Sequence, residues 1–151
     1  MEIRRYDGDR EALRPWFREA DDSEQAIDGY LTSGEILVAV EGGSIAGYAQ
    51  LVIGTGMAEL KSMAVLEQRR GAGIGRALVR ALLDRCRECT VERVLVATAA
   101  ADTGNLRFYQ RQGFRLRRVE RDAFGPESGY AAGLVLDGIP LRDRVWLDQD
   151  L

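Results

Sequence analysis

Nine residues decide most of what this chain can be. Gln68-Arg69-Arg70-Gly71-Ala72-Gly73-Ile74-Gly75-Arg76 leaves an apolar strand pattern, Met57–Val65, and enters the strongest helical pattern of the sequence. In that pattern Ile74, Ala77, Leu78, Ala81, Leu82 and Cys86 recur at helical spacing with arginines between them, so one face is apolar and the other basic. A strand feeding a helix through so short a turn belongs to a sheet covered by helices. Gly71, Gly73 and Gly75 let the backbone bend until its amides converge, and the helix that starts there adds unpaired N–H groups and its positive dipole end. Arg69, Arg70 and Arg76 bring positive charge to the same mouth. The guest this favours is a phosphate or pyrophosphate; the alternative is a loose turn with solvated arginines, and for Arg69 the two readings are balanced.

The remaining chain supplies the sheet. Glu2–Tyr6 reads as a first strand, and Asp9 as the cap of a helix over Arg10–Glu19 carrying Leu13, Trp16 and Phe17. A second helix ends near Thr32 and Gly34. Ile36–Val40 and Ile45–Ile53 form a hairpin about Glu41-Gly42-Gly43-Ser44. After the central helix come a strand over Val91–Ala97, a short helix over Asn105–Gln112, a strand over Phe114–Arg121 and a last strand over Leu141–Leu147. No repeat or linker divides the chain, and 151 residues with 46% hydrophobic composition suit a single unit, 1–151, with an ordinary core.

Several function classes are closed. Without histidine there is no histidine triad and no histidine-ligated metal. Cys86 and Cys89 are the two cysteines, they share a helical stretch, and they read as structural thiols of a protein in a reducing cytoplasm. No apolar run is long enough to span a membrane, and the opening residues lack a secretory core. The charge is segregated: residues 1–67 carry 6 basic and 13 acidic side chains, residues 68–121 carry 13 and 5, and residues 122–151 carry 2 and 6. A basic middle third fits a small polyanion, and the acidic flanks argue against a long nucleic acid.

Three phosphate-binding templates compete for the turn. The dinucleotide pattern G-x-G-x-x-G fails at Arg76 when started at Gly71 and at Leu78 when started at Gly73, and the nucleotide loop fails for want of a lysine. The pattern [Q/R]-x-x-G-x-[G/A] is met by Gln68-Arg69-Arg70-Gly71-Ala72-Gly73. That turn resembles the acetyl-CoA pyrophosphate loop of the GNAT superfamily of N-acetyltransferases. Met63-Ala64-Val65 stands where that family pairs a strand with the pantetheine arm, and Asn105, Tyr109, Gly113 and Phe114 repeat its downstream register.

The resemblance implies a GNAT fold of the mixed α/β (α+β) type: a central mixed sheet of about six to seven strands flanked by about four helices. It implies acetyl-CoA as cosubstrate with no metal, and Met63, Ala64, Val65, Arg70, Gly71, Ala72, Gly73, Ile74, Gly75, Arg76 and Asn105 as cofactor-binding residues. Tyr109 matches the tyrosine that protonates the departing thiolate, its ordinary pKa of ~10 suiting a donor. Glu59 matches a strand glutamate that takes the proton of the attacking amine. Each has a plainer reading: Tyr109 as a core aromatic, Asn105 as a helix cap, and Glu59 as a strand carboxylate paired with Lys61 unless a bulge turns the two apart. The acceptor is then a primary amine of a small molecule or peptide, met by direct transfer. Acids in the segments framing the acceptor (Glu19, Asp21, Asp22, Glu24, Asp28, Asp122, Glu127 and Asp137) favour a cationic one, with solvated surface as the alternative. Tyr130 either lines that pocket or packs its loop. A homodimer is compatible with the reading, nucleic-acid and membrane partners are not, and a non-catalytic acyl-CoA sensor of the same fold is the rival function.

Overall fold

The computed structural model describes residues 1–151. Strand β1, Glu2–Arg5, leads to a 3-10 turn over Arg10–Leu13 and then to helix α1, Arg14–Ala20. The single helix expected over Arg10–Glu19 is thus broken in two. Pro15 lacks an N–H and its ring would press on the Glu11 carbonyl, so the helix restarts with proline in its first turn. Ser23 caps helix α2, Glu24–Tyr30, its Oγ accepting from the Ala26 amide at 3.1 Å. Gly34 follows at φ +58°, where a side chain would run into the Leu51 carbonyl.

Strands β2, Glu35–Glu41, and β3, Ser44–Ile53, join through Gly42 and Gly43, both at positive φ as a two-residue hairpin requires. Strand β4, Met57–Val65, has the bounds expected from sequence, and helix α3, Ile74–Glu88, follows the glycine turn. Strand β5 is Arg93–Ala99, helix α4 Thr103–Arg111, and strand β6 Arg115–Glu120. Two further strands, β7 (Val135–Leu136) and β8 (Ile139–Pro140), form a small hairpin before β9, Arg144–Asp150.

Three of these differ from expectation. Strand β5 starts two residues after Val91, which is buried but tied to the end of α3 through the Cys86 carbonyl. Strand β9 starts three residues after Leu141 and runs on through polar Asp148–Asp150, because Arg117 and Arg93 pair with Asp148 and Asp150, each at 2.8 Å. The β7–β8 hairpin was not expected.

The main sheet has seven strands in the order β1-β2-β3-β4-β5-β9-β6, with only β4 and β5 parallel. Leu78, Leu82 and Cys86 of α3, with Tyr109 of α4, pack on one face against Ala49, Leu51, Leu60, Val94 and Val96. Leu13, Phe17, Ile27 and Leu31 pack on the other face against Ile36, Val38 and Tyr48. Truncating a fully buried residue such as Leu78 or Leu82 to alanine would cost ~2–5 kcal/mol. The mixed α/β class, the seven strands and the four α-helices agree with the sequence expectation. No helix is long and apolar enough to cross a membrane.

Candidate active site

The feature that organises the site is a divergence of strands. Met57–Leu60 of β4 pair in parallel with Arg93–Val96 of β5, and the pairing then stops, although β4 continues to Val65 and β5 to Ala99. Beyond Leu60 the edge of β4 that faces β5 carries no ladder, which leaves backbone donors and acceptors free for a strand-like guest. A bulge marks the same point. Gln50 opposes Ser62 and Leu51 opposes Leu60, so Lys61 is the extra residue.

On one side of the gap lies the glycine turn. Gly71 (φ +81°) and Gly73 (φ +88°) hold left-handed backbone, which explains glycine at both positions. Gly73 is the N-cap of α3 and offers no side chain, and the first intrahelical bond reaches back from Ala77 to the Gly73 carbonyl at 3.0 Å. The amides of Ile74, Gly75 and Arg76 therefore have no intrahelical partner. Ile74 anchors the turn in the core at 2% exposure.

Gly75 has a different task from its neighbours. A Cβ there would lie 3.2 Å from the Phe108 ring and 3.7 Å from Cγ2 of Val65, so this glycine lets α3, the end of β4 and α4 meet. Gly47 does the same beneath the helix. A Cβ there would lie 3.0 Å from the Ala64 carbonyl and 3.2–3.3 Å from Leu78 and Ile74, so glycine seats α3 close on β3.

The arginines divide. Arg69 is bound through two hydrogen bonds, at 2.7 and 2.8 Å, to Glu41 in the β2–β3 hairpin, which ties the turn to the sheet. Arg70 reaches back to the Val65 carbonyl at 3.3 Å. Arg76 is exposed and has no ion-pair partner; with Gly73, Ala77, Arg80 and Asp84 it lines an open groove of about 410 Å³ along α3. The turn's mouth is thus open and positively charged on its α3 side.

Helix α4 faces the turn from across the gap. Asp102 rather than Asn105 caps it, accepting the Asn105 amide at 2.9 Å. The Asn105 side chain instead donates to Thr98 Oγ1 at 3.3 Å, joining α4 to the part of β5 that has left β4. Tyr109 is 5% exposed, its ring set edge-on to Phe108 and Phe114, and its hydroxyl has no hydrogen-bond partner in the protein. Burial, with Asp102 adding to it, pushes its pKa above the ordinary tyrosine value, so the hydroxyl keeps its proton throughout the neutral range.

Glu59 lies on the opposite face of the sheet from Tyr109. Its neighbours Ala58 and Leu60 are in the α3-side core, while Glu59 meets Lys61, Oε2 to Nζ 3.7 Å, and Lys61 stands over the Tyr30 ring. The bulge expected to separate Glu59 from Lys61 does not do so. It falls after Leu60 and turns Ser62, whose Oγ meets the Tyr48 hydroxyl at 2.5 Å, onto the face that Lys61 already shares with Glu59. Tyr130 joins the same side: its hydroxyl donates to Asp21 Oδ1 at 2.7 Å, and Tyr30 donates to Oδ2 at 2.7 Å. Lys61, Tyr30, Thr98 and Gly47 were not among the expected site residues. The signals for Lys61 are strand alternation, which sets it on the face of Glu59, and that it is the sole lysine of the chain.

A parallel pair of strands that opens at a bulge, with an uncapped helix start and free arginine beside it, has room for a phosphorylated, strand-like cosubstrate. The sequence profile of the acetyltransferase (GNAT) family matches residues 5–114, and the chain belongs to that family. It is 30% identical over 133 residues to the uncharacterised N-acetyltransferase YvbK of Bacillus subtilis (strain 168), covering 87% of this chain and 84% of that protein. The IAA acetyltransferase from Bacillus cereus ATCC 14579 superposes with a TM-score of 0.89 at 30% identity, over 99% of each chain. A GNAT family acetyltransferase from Elizabethkingia anophelis, solved with acetyl-CoA bound, gives 0.88 at 28% identity over 99% of this chain and 97% of that one.

Proposed function

We propose that this acetyltransferase moves the acetyl group of acetyl-CoA directly to a primary amine at the opening between β4 and β5. The observation that carries the reading is the meeting at Gly75. One close-packed contact sets the end of β4, the start of α3 and the helix of Tyr109 around a single gap. The free amides of Ile74, Gly75 and Arg76, the backbone of Gly71, Ala72 and Gly73, and the Arg70 and Arg76 side chains would take the pyrophosphate. The unpaired edge of Met63, Ala64 and Val65 would take the pantetheine as an added strand, and its N–H groups would polarise the thioester carbonyl. Asn105, held on Thr98, would contact the arm from the α4 side.

The two faces of the sheet then have different work. The amine enters from the Glu59 side, gives up a proton to that carboxylate or to a water beside it, and attacks the carbonyl carbon. The thiolate leaves toward Tyr109, whose protonated hydroxyl supplies the proton. Holding both substrates in one gap provides much of the rate. The whole chain, 1–151, is read as this one transferase unit, and its free thiols Cys86 and Cys89 accord with a cytoplasmic setting.

Charge gives a cationic acceptor less support than the sequence suggested. Glu11, Glu24 and Asp28 are neutralised by Arg14 and Arg18, and Asp21 is engaged by Tyr30 and Tyr130. Glu19, Asp22, Asp122, Glu127 and Asp137 remain, all exposed. The test is thiol release from acetyl-CoA on addition of an amine panel, with the N-acetyl product identified by mass spectrometry. Release in step with product supports transfer; tight acetyl-CoA binding without amine-dependent release would make the protein an acyl-CoA-binding module instead.

A further inference from the structure

Opposite charges side by side with free hydrogen-bonding capacity are unusual on this protein. Neither Glu59 nor Lys61 makes a hydrogen bond within the chain: the 3.7 Å between them is an ion-pair distance, too long for a hydrogen bond. Both are partly exposed, Lys61 at 35% and Glu59 at 27% of the side chain. The arginines around this face already have partners, and the unpaired acids Glu19, Asp22 and Glu127 lie on α1 and the neighbouring loops rather than on β4. Arg14 is held by three carboxylates and Arg18 by Glu24. Arg144 pairs with Glu120 and stacks on Phe124, and Arg118 lies over Trp146. The Lys61 ammonium therefore presents three donors, steadied by the Tyr30 ring at 4.9 Å, at the point where β4 leaves β5.

We propose that the acceptor is an α-amino acid or a close relative with a carboxylate next to its amine. The amine sits on Glu59 and the carboxylate on Lys61. This rests on the transfer reading above and names the acceptor for the same site. The pair matches a zwitterion in sign and in scale. The nitrogen and carboxyl carbon of an α-amino acid lie about 2.5 Å apart, so one molecule can engage both groups by opening the pair slightly. It replaces a long ion pair by two charge-assisted hydrogen bonds. A simple cationic amine satisfies Glu59 but meets the Lys61 ammonium as a like charge. The floor beyond the pair is apolar at its centre: Leu95 lies in register with Glu59, Ala97 follows on the same face, and Trp146 is the cross-strand partner of Ala97, while Asp148, the partner of Leu95, is taken up by Arg117. That surface suits an apolar side chain on the acceptor.

The test compares matched acceptors that differ only in the carboxylate, leucine against isopentylamine and phenylalanine against phenethylamine. Calorimetric binding to the CoA-loaded protein and acetyl-transfer KM are read for each. The wild type should favour each amino acid by about ten- to a hundredfold, the range for a charge-assisted contact. Lys61→Met keeps the stem over Tyr30 and should erase that ratio, while Lys61→Arg should restore most of it. Because the readout is a ratio within one protein, a general loss of stability does not mimic it. Equal or weaker binding of the amino acids, or a preference that survives Lys61→Met, overturns the proposal while leaving amine transfer intact. A Lys61-dependent preference in binding without turnover of any acceptor upholds the carboxylate site and overturns the transfer reading instead.

Discussion

The Tyr30 hydroxyl donates to Asp21 at 2.7 Å, and this bond orients the ring on which Lys61 rests. The other oxygen of the same carboxylate takes the Tyr130 hydroxyl, so one aspartate ties the loop before β7 to the residue beside the candidate base. Ser23 reinforces the tie from its backbone N–H to Asp21 and from its Oγ to the Ser128 carbonyl. Burial and the neighbouring Asp21 push both tyrosines above their ordinary pKa, so the latch stays protonated and closed through neutral pH.

Tyr130→Phe keeps the ring against Phe124 and removes only the bond to Asp21. A hydrogen bond to a charged group contributes ~1.5–3 kcal/mol, so unfolding should become easier by up to that amount. The acceptor KM should rise several-fold with acetyl-CoA affinity unchanged, measured by steady-state kinetics and calorimetry. An unaltered acceptor KM would make the latch a stability feature alone.

Arg76 and Arg69 should part company. Arg76→Ala removes a free guanidinium from the mouth of the turn and should weaken acetyl-CoA by ~1.5–3 kcal/mol, about ten- to a hundredfold or slightly more, with a shallower salt dependence. Arg69→Ala removes a side chain already held by Glu41 and should leave the affinity near that of the wild type. Titrating acetyl-CoA into both variants decides it; a greater loss in Arg69→Ala would reverse their assigned roles.

Tyr109→Phe preserves the edge contacts with Phe108 and Phe114 and deletes the unpartnered hydroxyl. Turnover should drop by roughly 10²–10⁴-fold with acetyl-CoA affinity little changed, since a general acid acts on the transition state. Stopped-flow thiol release would show it, and full activity would reduce Tyr109 to a packing residue.

How much of this was legible in sequence depends on the range of the interaction. The glycine turn, the amphipathic α3 and the β2–β3 hairpin follow local rules, and they stand where those rules put them. Strand β9 was misplaced because its polar end is stabilised by Arg93 and Arg117, far away in sequence. The β7–β8 hairpin was readable: Asp137-Gly138, both at positive φ, is a hairpin turn signal, but strands of two residues show no alternation to draw notice. Alternation sets Lys61 beside Glu59, but only the position of the bulge settles it, since a one-residue shift moves a side chain to the other face. Gly47 and Gly75 owe their identity to α3 and Phe108, contacts that no pattern in their own strand or helix announces.

Glu35 offers a test of the fold away from the site. It links β1 and α3 to β2 through Arg5 at 3.1 Å and Arg85 at 3.0 Å, with 14% of its side chain exposed. The hydrogen bond from Arg85 holds its carboxyl below the ordinary carboxylate range, against the opposing effect of burial. A depressed folded pKa means stability that is full above the unfolded value and is lost as pH falls through the folded one. Glu35→Gln should cost about 1 kcal/mol at pH 7, roughly 2–4 °C in melting temperature. The gap from the wild type should close as pH falls through the depressed pKa of Glu35, and a gap that stays constant would contradict the ionic role.

The central claim is direct transfer to an amine whose proton leaves through Glu59, and the pH–rate profile of Glu59→Gln tests it most directly. The substitution keeps the side chain's shape and removes its basicity. Near neutral pH, where an aliphatic amine is mostly ammonium, the variant should turn over roughly 10²–10⁴-fold more slowly than the wild type. It should recover as pH rises toward the acceptor's own pKa, ~10 for a lysine-like amine, because solvent then supplies the free base. Acetyl-CoA affinity should stay level throughout, since the glycine turn is untouched. A profile parallel to that of the wild type, with any loss of rate tracking a loss of stability, would contradict Glu59 as the proton acceptor.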